Sequence, residues 1–381
     1  MSPNHRKILF VIDALSFGGG ERVFAQIING LDPVKYEIFL ASQQSDHFYS
    51  VISNKQVQFI PLDFSKRINP ALIFKLAKII KKNEIQIIHG QGTRAEFYAR
   101  LASRLAGKSW YISATAAPVK GFNVSETRKR IYQLLDGFSE RFVDRFIVVS
   151  DAQKEKMIKE RHIPQEKVVR IYNGIEMESF LCDRDAGLKI RKELGLKEDN
   201  ILIGAIGRLV WEKGFEYLIQ SIPDVIKVYP NVKILIVGEG PLKERLEAQG
   251  ERLKVNDHLI FTGFRSDIKE ILSVIDILVI PSILEGFPMI TLEGMAMTKP
   301  IIATKIVGIT EQITDGESGL LVPSRDSNAL TKAINRLIND RGLALRLGMN
   351  ARQKAEMEFS VIKMITETEK IYLSLCDVKV G

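Results

Sequence analysis

Four charged residues in two short stretches carry the chemistry this chain can do. Glu285 and Glu293 end the apolar run Ile275–Glu293, and Arg208 and Lys213 stand in Gly-Arg-Leu-Val-Trp-Glu-Lys-Gly (207–214). Two carboxylates alone fit the acid/base pair of a hydrolase. The two cations change that reading: Arg offers a planar fork to phosphate oxygens and Lys a point charge, so together they suit a diphosphate leaving group. Taken alone, 208 and 213 read as surface cations in an ion pair with Glu212. Taken with the two glutamates at the edge of one sheet, they read as a phosphate clamp, and the glutamates become grips on ligand hydroxyls rather than proton shuttles.

Those side chains need a scaffold that brings them to one edge. Ile275–Ile280 is short and apolar on both alternating faces, the pattern of a parallel strand buried between helices. Pro288 suits the first turn of the following helix, and Pro300 closes it. Glu285 is therefore expected on a strand-to-helix loop and Glu293 about a turn and a half into the helix, near free N–H groups that favour phosphate.

The same unit recurs along the chain. Strands are predicted at Lys7–Asp13, Tyr36–Ala41, Val57–Ile60, Ile85–His89, Trp110–Ala114 and Phe146–Val149, separated by helices such as Pro70–Lys82 and Arg94–Leu105. The first strand leads through a loop with Gly18, Gly19 and Gly20 into a helix from Glu21. The pattern lapses after Tyr172-Asn173-Gly174-Ile175 into the polar stretch 176–200, then restarts with Ile201–Ile206 and Val232–Val237, the latter followed by Gly-Glu-Gly-Pro (238–241). This predicts an α/β chain of two Rossmann-like, doubly wound parallel-sheet domains, residues 1–175 and 176–360, with a last helix in 361–381 packing back on the first.

Composition narrows the class further. Of 381 residues 45% are hydrophobic, enough for two cores, and the two cysteines lie far apart, which argues against a disulfide framework or a Cys-based metal site and for a reducing compartment. Asp13 interrupts the N-terminal apolar stretch after five residues, and no run approaches the roughly 18 apolar residues of a membrane span. The net charge of +8 is uneven: residues 1–150 hold 21 Lys and Arg against 12 Asp and Glu. That excess predicts either a footprint for anionic lipid or phosphorylated acceptors, or a solvated surface. Segment 126–143 reads as an amphipathic helix, its apolar residues ringed by Arg128, Lys129, Arg130, Arg141 and Arg145.

In family order, the motifs Gly-Gly-Gly-Glu-Arg-Val (18–23), Asn-Gly-Ile (173–175), Gly-Arg-Leu-Val-Trp-Glu-Lys-Gly (207–214), Val-Gly-Glu-Gly-Pro (237–241), Phe-Thr-Gly-Phe-Arg (261–265) and Pro-Ser-Ile-Leu-Glu-Gly-Phe-Pro (281–288) with Glu293 span nearly the whole chain. Together they resemble the retaining, nucleotide-sugar-dependent glycosyltransferases of family four, glycosyl transferases group 1, with the GT-B architecture. The resemblance implies two domains facing each other across a cleft. It implies that the Gly19 and Gly20 backbone approaches the donor, that Arg208 and Lys213 hold the diphosphate, and that Arg265 and its loop lie by the nucleobase. It places Glu285 on the donor sugar, the N–H groups of Phe287, Met289 and Ile290 nearby, and Glu293 on the ribose.

The implied reaction moves a sugar from a nucleoside diphosphate, UDP- or GDP-linked, to a glycan or lipid-linked acceptor in cell-envelope polysaccharide or lipopolysaccharide synthesis. It keeps the anomeric configuration and uses neither protein nucleophile nor metal nor other cofactor. The setting is cytoplasmic, peripheral on the inner face of the membrane, with an anionic membrane surface as partner of the basic first domain and no nucleic acid. One departure stands out. The family has a histidine after the strand corresponding to Trp110–Ala114, where this chain reads Thr-Ala-Ala-Pro (115–118). His89, after the preceding strand, is a candidate substitute contacting the sugar, set against a structural role, and Lys120 is a candidate acceptor contact. A nucleotide-sugar epimerase on the same fold and a non-catalytic sugar-nucleotide-binding partner are the alternatives. A nicotinamide dehydrogenase fits least, because neither glycine loop has the spaced fingerprint.

Overall fold

The computed structural model describes residues 5–13, 18–65, 69–107, 109–115, 137–181 and 184–377. The chain divides into two compact units, Met1–Asn173 with Val361–Gly381, and Gly174–Ser360. Lys120, residues 116–118 and most of the segment 126–143 lie outside the described residues, as do residues 14–17 of the first glycine loop.

The first unit is a seven-stranded parallel sheet in the order β3-β2-β1-β4-β5-β6-β7: β1 Arg6–Ile12, β2 Tyr36–Ser42, β3 Gln58–Pro61, β4 Ile87–Gln91, β5 Trp110–Thr115, β6 Arg145–Val148 and β7 Val168–Arg170. β1 shows why its sequence is apolar without alternation. Ile8, Phe10 and Ile12 point into one core layer and Leu9 and Val11 into the other, so both pleat faces are buried. Helices α1 (Gly19–Gly30), α2 (Asp46–Ser50), α3 (Ala71–Lys82) and α4 (Thr93–Ala106) connect the first strands. The helix Val361–Asp377 packs against α1, close enough that a Cβ on Gly30 would fall 2.1 Å from Ile365 Cδ1.

The second unit is a six-stranded parallel sheet in the order β10-β9-β8-β11-β12-β13: β8 Ile201–Ile206, β9 Val232–Val237, β10 Leu259–Gly263, β11 Ile277–Ile280, β12 Ile301–Thr304 and β13 Leu320–Val322. Helix Phe215–Val228 buries Leu218, Ile219, Ile222 and Val225 on one stripe. Against it helix Ser327–Asn339 sets Leu330, Ile334 and Leu337.

Each sheet reverses its strand order once, between β1 and β4 and between β8 and β11. The loops leaving those strand pairs run to opposite faces of the sheet, which opens a crevice at the C-terminal edge where ligands of doubly wound sheets bind. The stretches that carry Arg208 and Lys213 and that carry Glu285 leave this edge of the second sheet, after β8 and β11.

Candidate functional site

In the second unit the loops at the strand exits are tied to one another. Leu209 N–H donates to the Glu239 carbonyl (2.8 Å) and Gly238 N–H to that of Gly263 (2.8 Å), joining the loops after β8, β9 and β10. Ile283 N–H donates to the Glu212 carbonyl at 2.7 Å, joining the loop after β11 to the loop after β8. Thr304 Oγ1 then donates to the Ser282 carbonyl at 2.5 Å, bringing in β12. Two glycines permit this closeness. Gly214 has φ +63° and a Cβ there would lie 2.2 Å from the Pro281 oxygen; Gly308 has φ +83° and its Cβ would lie 2.0 Å from the Gly286 oxygen. No other residue type fits either place without backbone movement.

On that frame Lys213 Nζ lies 2.6 Å from Glu285 Oε1, and Ser282 Oγ donates to the same oxygen at 2.7 Å. The Lys213 and Glu285 side chains are only 20% and 10% exposed, so their attraction is screened less than that of a surface pair. The partner of Lys213 is thus Glu285, across the sheet edge, and not its sequence neighbour Glu212. The Arg208 side chain is exposed and makes no ion pair or hydrogen bond among the described residues, which leaves its fork available to an anion.

Pro288 is the N-cap of helix Met289–Ala296 rather than a first-turn residue, so Glu293 comes just over one turn in. No side chain caps this helix start, and the Met289 and Ile290 N–H groups belong to the first turn, whose donors have no intrahelical partner. Gln312 Nε2 holds the N-cap carbonyl of Pro288 at 3.1 Å. The Phe287 side chain is a core group, edge-on to Phe359 at 5.4 Å between ring centroids, so only its backbone faces outward chemistry. Glu293 is buried, 3% exposed. Ser282 and Gln312 were not singled out in the sequence; the polar residue directly after the β11 run was the one available signal.

Arg265 is engaged by acids. Its Nε and Nη2 donate to the Asp267 carboxylate at 2.7 and 2.5 Å, and Nη1 pairs with Glu193 from the helix Arg184–Glu193. The guanidinium holds both carboxyls below the usual carboxylate range, and they in turn push the Arg265 pKa up. Any part Arg265 has beside a nucleobase therefore falls to its loop rather than to an open fork.

In the first unit, Gly18 caps α1, and its N–H donates to Glu21 Oε2 at 2.9 Å. Gly19 and Gly20 form the first turn. A Cβ on Gly20 would lie 2.5 Å from Gln91 Nε2, so this glycine lets the end of β4 close on the helix start. Gln91 is 8% exposed, and its Oε1 has no hydrogen-bond partner among the described residues.

His89 requires a correction. β4 runs on to Gln91, two residues past the expected end, so His89 sits inside the strand. It is fully buried between Phe10 and Phe24, with Nδ1 2.7 Å from the Tyr372 hydroxyl on the last helix. Burial lowers its pKa to about 3, so it is neutral at physiological pH. It is a core histidine with no face open to a sugar.

Two doubly wound parallel-sheet units, one of them carrying Lys213, Glu285 and Arg208 at its carboxyl edge, define the GT-B class of glycosyltransferase fold. The profile described as "Glycosyl transferases group 1" matches residues 188–354, and "Glycosyltransferase Family 4" matches residues 17–179. The chain belongs to this group 1 glycosyltransferase family. An Escherichia coli relative, UDP-Gal:alpha-D-GlcNAc-diphosphoundecaprenol alpha-1,3-galactosyltransferase, is 26% identical over 98% of this chain and 99% of its own length. The Campylobacter jejuni N,N'-diacetylbacillosaminyl-diphospho-undecaprenol alpha-1,3-N-acetylgalactosaminyltransferase is 29% identical over 86% of this chain and 89% of its own. The crystal structure of Anabaena HepE in complex with UDP-glucose superposes with a TM-score of 0.84 at 23% identity, covering 97% of this chain and 100% of that one, a likeness of fold.

Proposed function

We propose that the protein transfers a sugar from a uridine or guanosine diphosphate sugar to a sugar-bearing, lipid-linked or glycan acceptor, with retention of configuration. The observation that carries this reading is the Lys213–Glu285–Ser282 contact, on a sheet edge whose β8 loop also carries the exposed Arg208. Glu285, held at Oε1 by Lys213 and Ser282, accepts hydroxyls of the donor sugar. Arg208 and Lys213 take the diphosphate, where negative charge grows as the anomeric bond breaks, and the first-turn N–H groups of Met289 and Ile290 add fixed dipoles. Glu293 accepts the ribose hydroxyls.

In the proposed step the bond from the anomeric carbon to the phosphate oxygen breaks, with its electron pair leaving on the diphosphate. The acceptor oxygen bonds to the anomeric carbon from the same face, and its proton passes to the departing phosphate. No protein nucleophile and no metal is assigned a role. The acceptor class is supported by the relatives in Escherichia coli and Campylobacter jejuni, whose names both specify a diphosphoundecaprenol-linked sugar. The UDP-glucose complex of the Anabaena structure supports the donor class. Among the described residues no helix is long and apolar enough to cross a membrane. In this reading a membrane-borne acceptor is met by a cytoplasmic, peripheral protein whose basic first unit faces anionic lipid. The test is incubation with UDP- and GDP-sugars and a diphosphoprenyl-linked sugar, with NMR of the product's anomeric centre. An inverted product overturns the retaining step, and absence of transfer from every donor overturns the reading.

A further inference from the structure

Gln312 ends the short helix Ile309–Gln312 that follows β12, and it is fully buried, as are Ile309 and Ile313. Among the described residues its side chain makes one hydrogen bond, from Nε2 to the Pro288 carbonyl at 3.1 Å, and Oε1 has no partner. Only the amide nitrogen can face a carbonyl oxygen, so that bond fixes which atom is left unmatched. The Pro288 carbonyl does not depend on it, because it also accepts from the Thr291 N–H at 3.3 Å. On stability alone an apolar side chain of similar size serves as well or better: it leaves no buried amide oxygen unmatched and orphans no carbonyl.

What the bond does is fix a peptide plane. The Pro288 carbonyl and the Met289 N–H belong to one rigid trans peptide group, in which C=O and N–H point opposite ways. Holding the carbonyl from inside the fold therefore sets the direction of the N–H. A carbonyl that accepts a hydrogen bond also makes the N–H of its own group a stronger donor. Met289 opens the helix Met289–Ala296, and its N–H meets no acceptor among the described residues. The short helix that carries Gln312 is itself anchored: Lys354 Nζ donates to the Glu311 carbonyl at 3.0 Å and to Thr314 Oγ1 at 3.2 Å.

We propose that Gln312 is a positioning residue for the donor's diphosphate, acting through the Pro288–Met289 peptide: it aims and polarises the Met289 N–H, which donates to a phosphate oxygen. This deepens the donor reading given above and rests on it, but its test reads binding and not transfer.

The full-length chain and Gln312→Leu are compared by thermal denaturation and by calorimetric titration with uridine and with UDP. The variant is expected to melt at the wild-type temperature or above, to bind uridine as the wild type does, and to bind UDP about tenfold more weakly, the scale of one hydrogen bond. A second measurement leaves Gln312 in place. In the wild type labelled with 15N-methionine, the Met289 amide signal, assigned by its loss in Met289→Leu, is expected to move downfield with UDP and to stay put with uridine. UDP affinity kept in Gln312→Leu, equal losses for uridine and UDP, or a Met289 amide indifferent to UDP each overturns the proposal. A Gln312→Leu chain that fails to fold does so too, since the amide would then serve the fold. The expected UDP results without transfer to any acceptor would sink the enzymatic reading alone, and transfer with UDP affinity unmoved in Gln312→Leu this one alone.

Discussion

Lys213 and Glu285 are 72 residues apart in sequence and 2.6 Å apart in space, because the strands that precede them, β8 and β11, are neighbours in the sheet. The pair orients both members before any ligand arrives, with Ser282 donating to the same carboxylate oxygen. Removing the cation leaves a mostly buried carboxylate without its charge partner, at the proposed donor site. Lys213→Ala is therefore expected to cut kcat on the order of a hundredfold or more, the usual scale for one charge-stabilising donor, and Lys213→Arg to recover part of it. Steady-state kinetics check this; an unchanged kcat in Lys213→Ala would remove Lys213 from the phosphate clamp.

The two glutamates are distinguishable by what each loses. If Glu285 grips the sugar and Glu293 the ribose, Glu285→Gln binds UDP as the wild type does but forfeits the extra affinity contributed by the sugar. Glu293→Ala loses affinity for UDP itself, by about 1.5–3 kcal/mol, the scale of a hydrogen bond to a charged group. Calorimetric titration with UDP and with a UDP-sugar separates the two. Equal losses for both ligands in both variants would dissolve the assignment.

His89 predicts a pH dependence of stability. The folded chain keeps it neutral down to about pH 3, because burial disfavours the imidazolium. The unfolded chain protonates it from about 6.5 downward. Between those values the unfolded state holds one more proton, so stability declines as pH falls, by up to about 1.4 kcal/mol per pH unit below about 6. Urea midpoints measured from pH 7 to 4 should fall, and His89→Gln should remove this share of the slope. Tyr372→Phe orphans Nδ1 and should lower stability by about 1–3 kcal/mol while leaving the slope in place. Identical slopes for His89→Gln and wild type would mean the proton is taken up elsewhere.

How far the sequence carries can be seen in the same residues. β1, β8, β9 and β11 were legible because strands buried on both faces are Ile- and Val-rich without alternation. The end of β4 was not, because Gly90 and Gln91 carry loop chemistry into a strand, and that moved His89 from a presumed rim into the core. The places of the four charged candidate residues after β8 and β11 were legible from the strand pattern. Their pairing was not, because proximity in sequence favours Glu212 for Lys213 while sheet order brings Glu285. Arg265 shows the same limit: one of its acid partners, Glu193, comes from a helix before β8, which no local pattern connects to the loop after β10.

Gly308 shows how tightly the site loops are drawn together. Its φ of +83° alone costs a non-glycine residue about 1–2 kcal/mol. A methyl group there also meets the Gly286 oxygen at 2.0 Å, a backbone atom that cannot swing aside as a side chain can. Gly308→Ala is expected to lose about 2 kcal/mol or more and to displace the segment Glu285–Pro288, so activity should fall further than stability alone explains. Gly20→Ala is the contrast, since its Cβ meets only the end of the Gln91 side chain. It should cost less stability, and adding Gln91→Ala should relieve the clash. Denaturation midpoints of the single and double variants test both, and an unperturbed Gly308→Ala would contradict the close approach.

Arg100 is the largest fully buried side chain in the first unit, and its charge is met by Glu96 one turn earlier on α4 at 2.5 Å. Its Nη2 also donates to Ser113 Oγ on β5 (3.1 Å) and its Nη1 to Ser139 Oγ (3.3 Å), while Ser113 donates to Glu96 Oε1 at 2.6 Å. The network fixes α4 against β5 just before the strand's carboxyl end. A buried pair of this kind contributes little net stability over an apolar replacement, but breaking it from one side strands a charge. Glu96→Leu or Arg100→Met alone is therefore expected to cost about 3–5 kcal/mol. The double variant Glu96→Leu/Arg100→Met should recover most of that, since neither charge is then left alone. Urea denaturation of the two single variants and the double closes the cycle. Additive losses in the double variant would mean that the residues act independently and that the pair does not hold α4 in place.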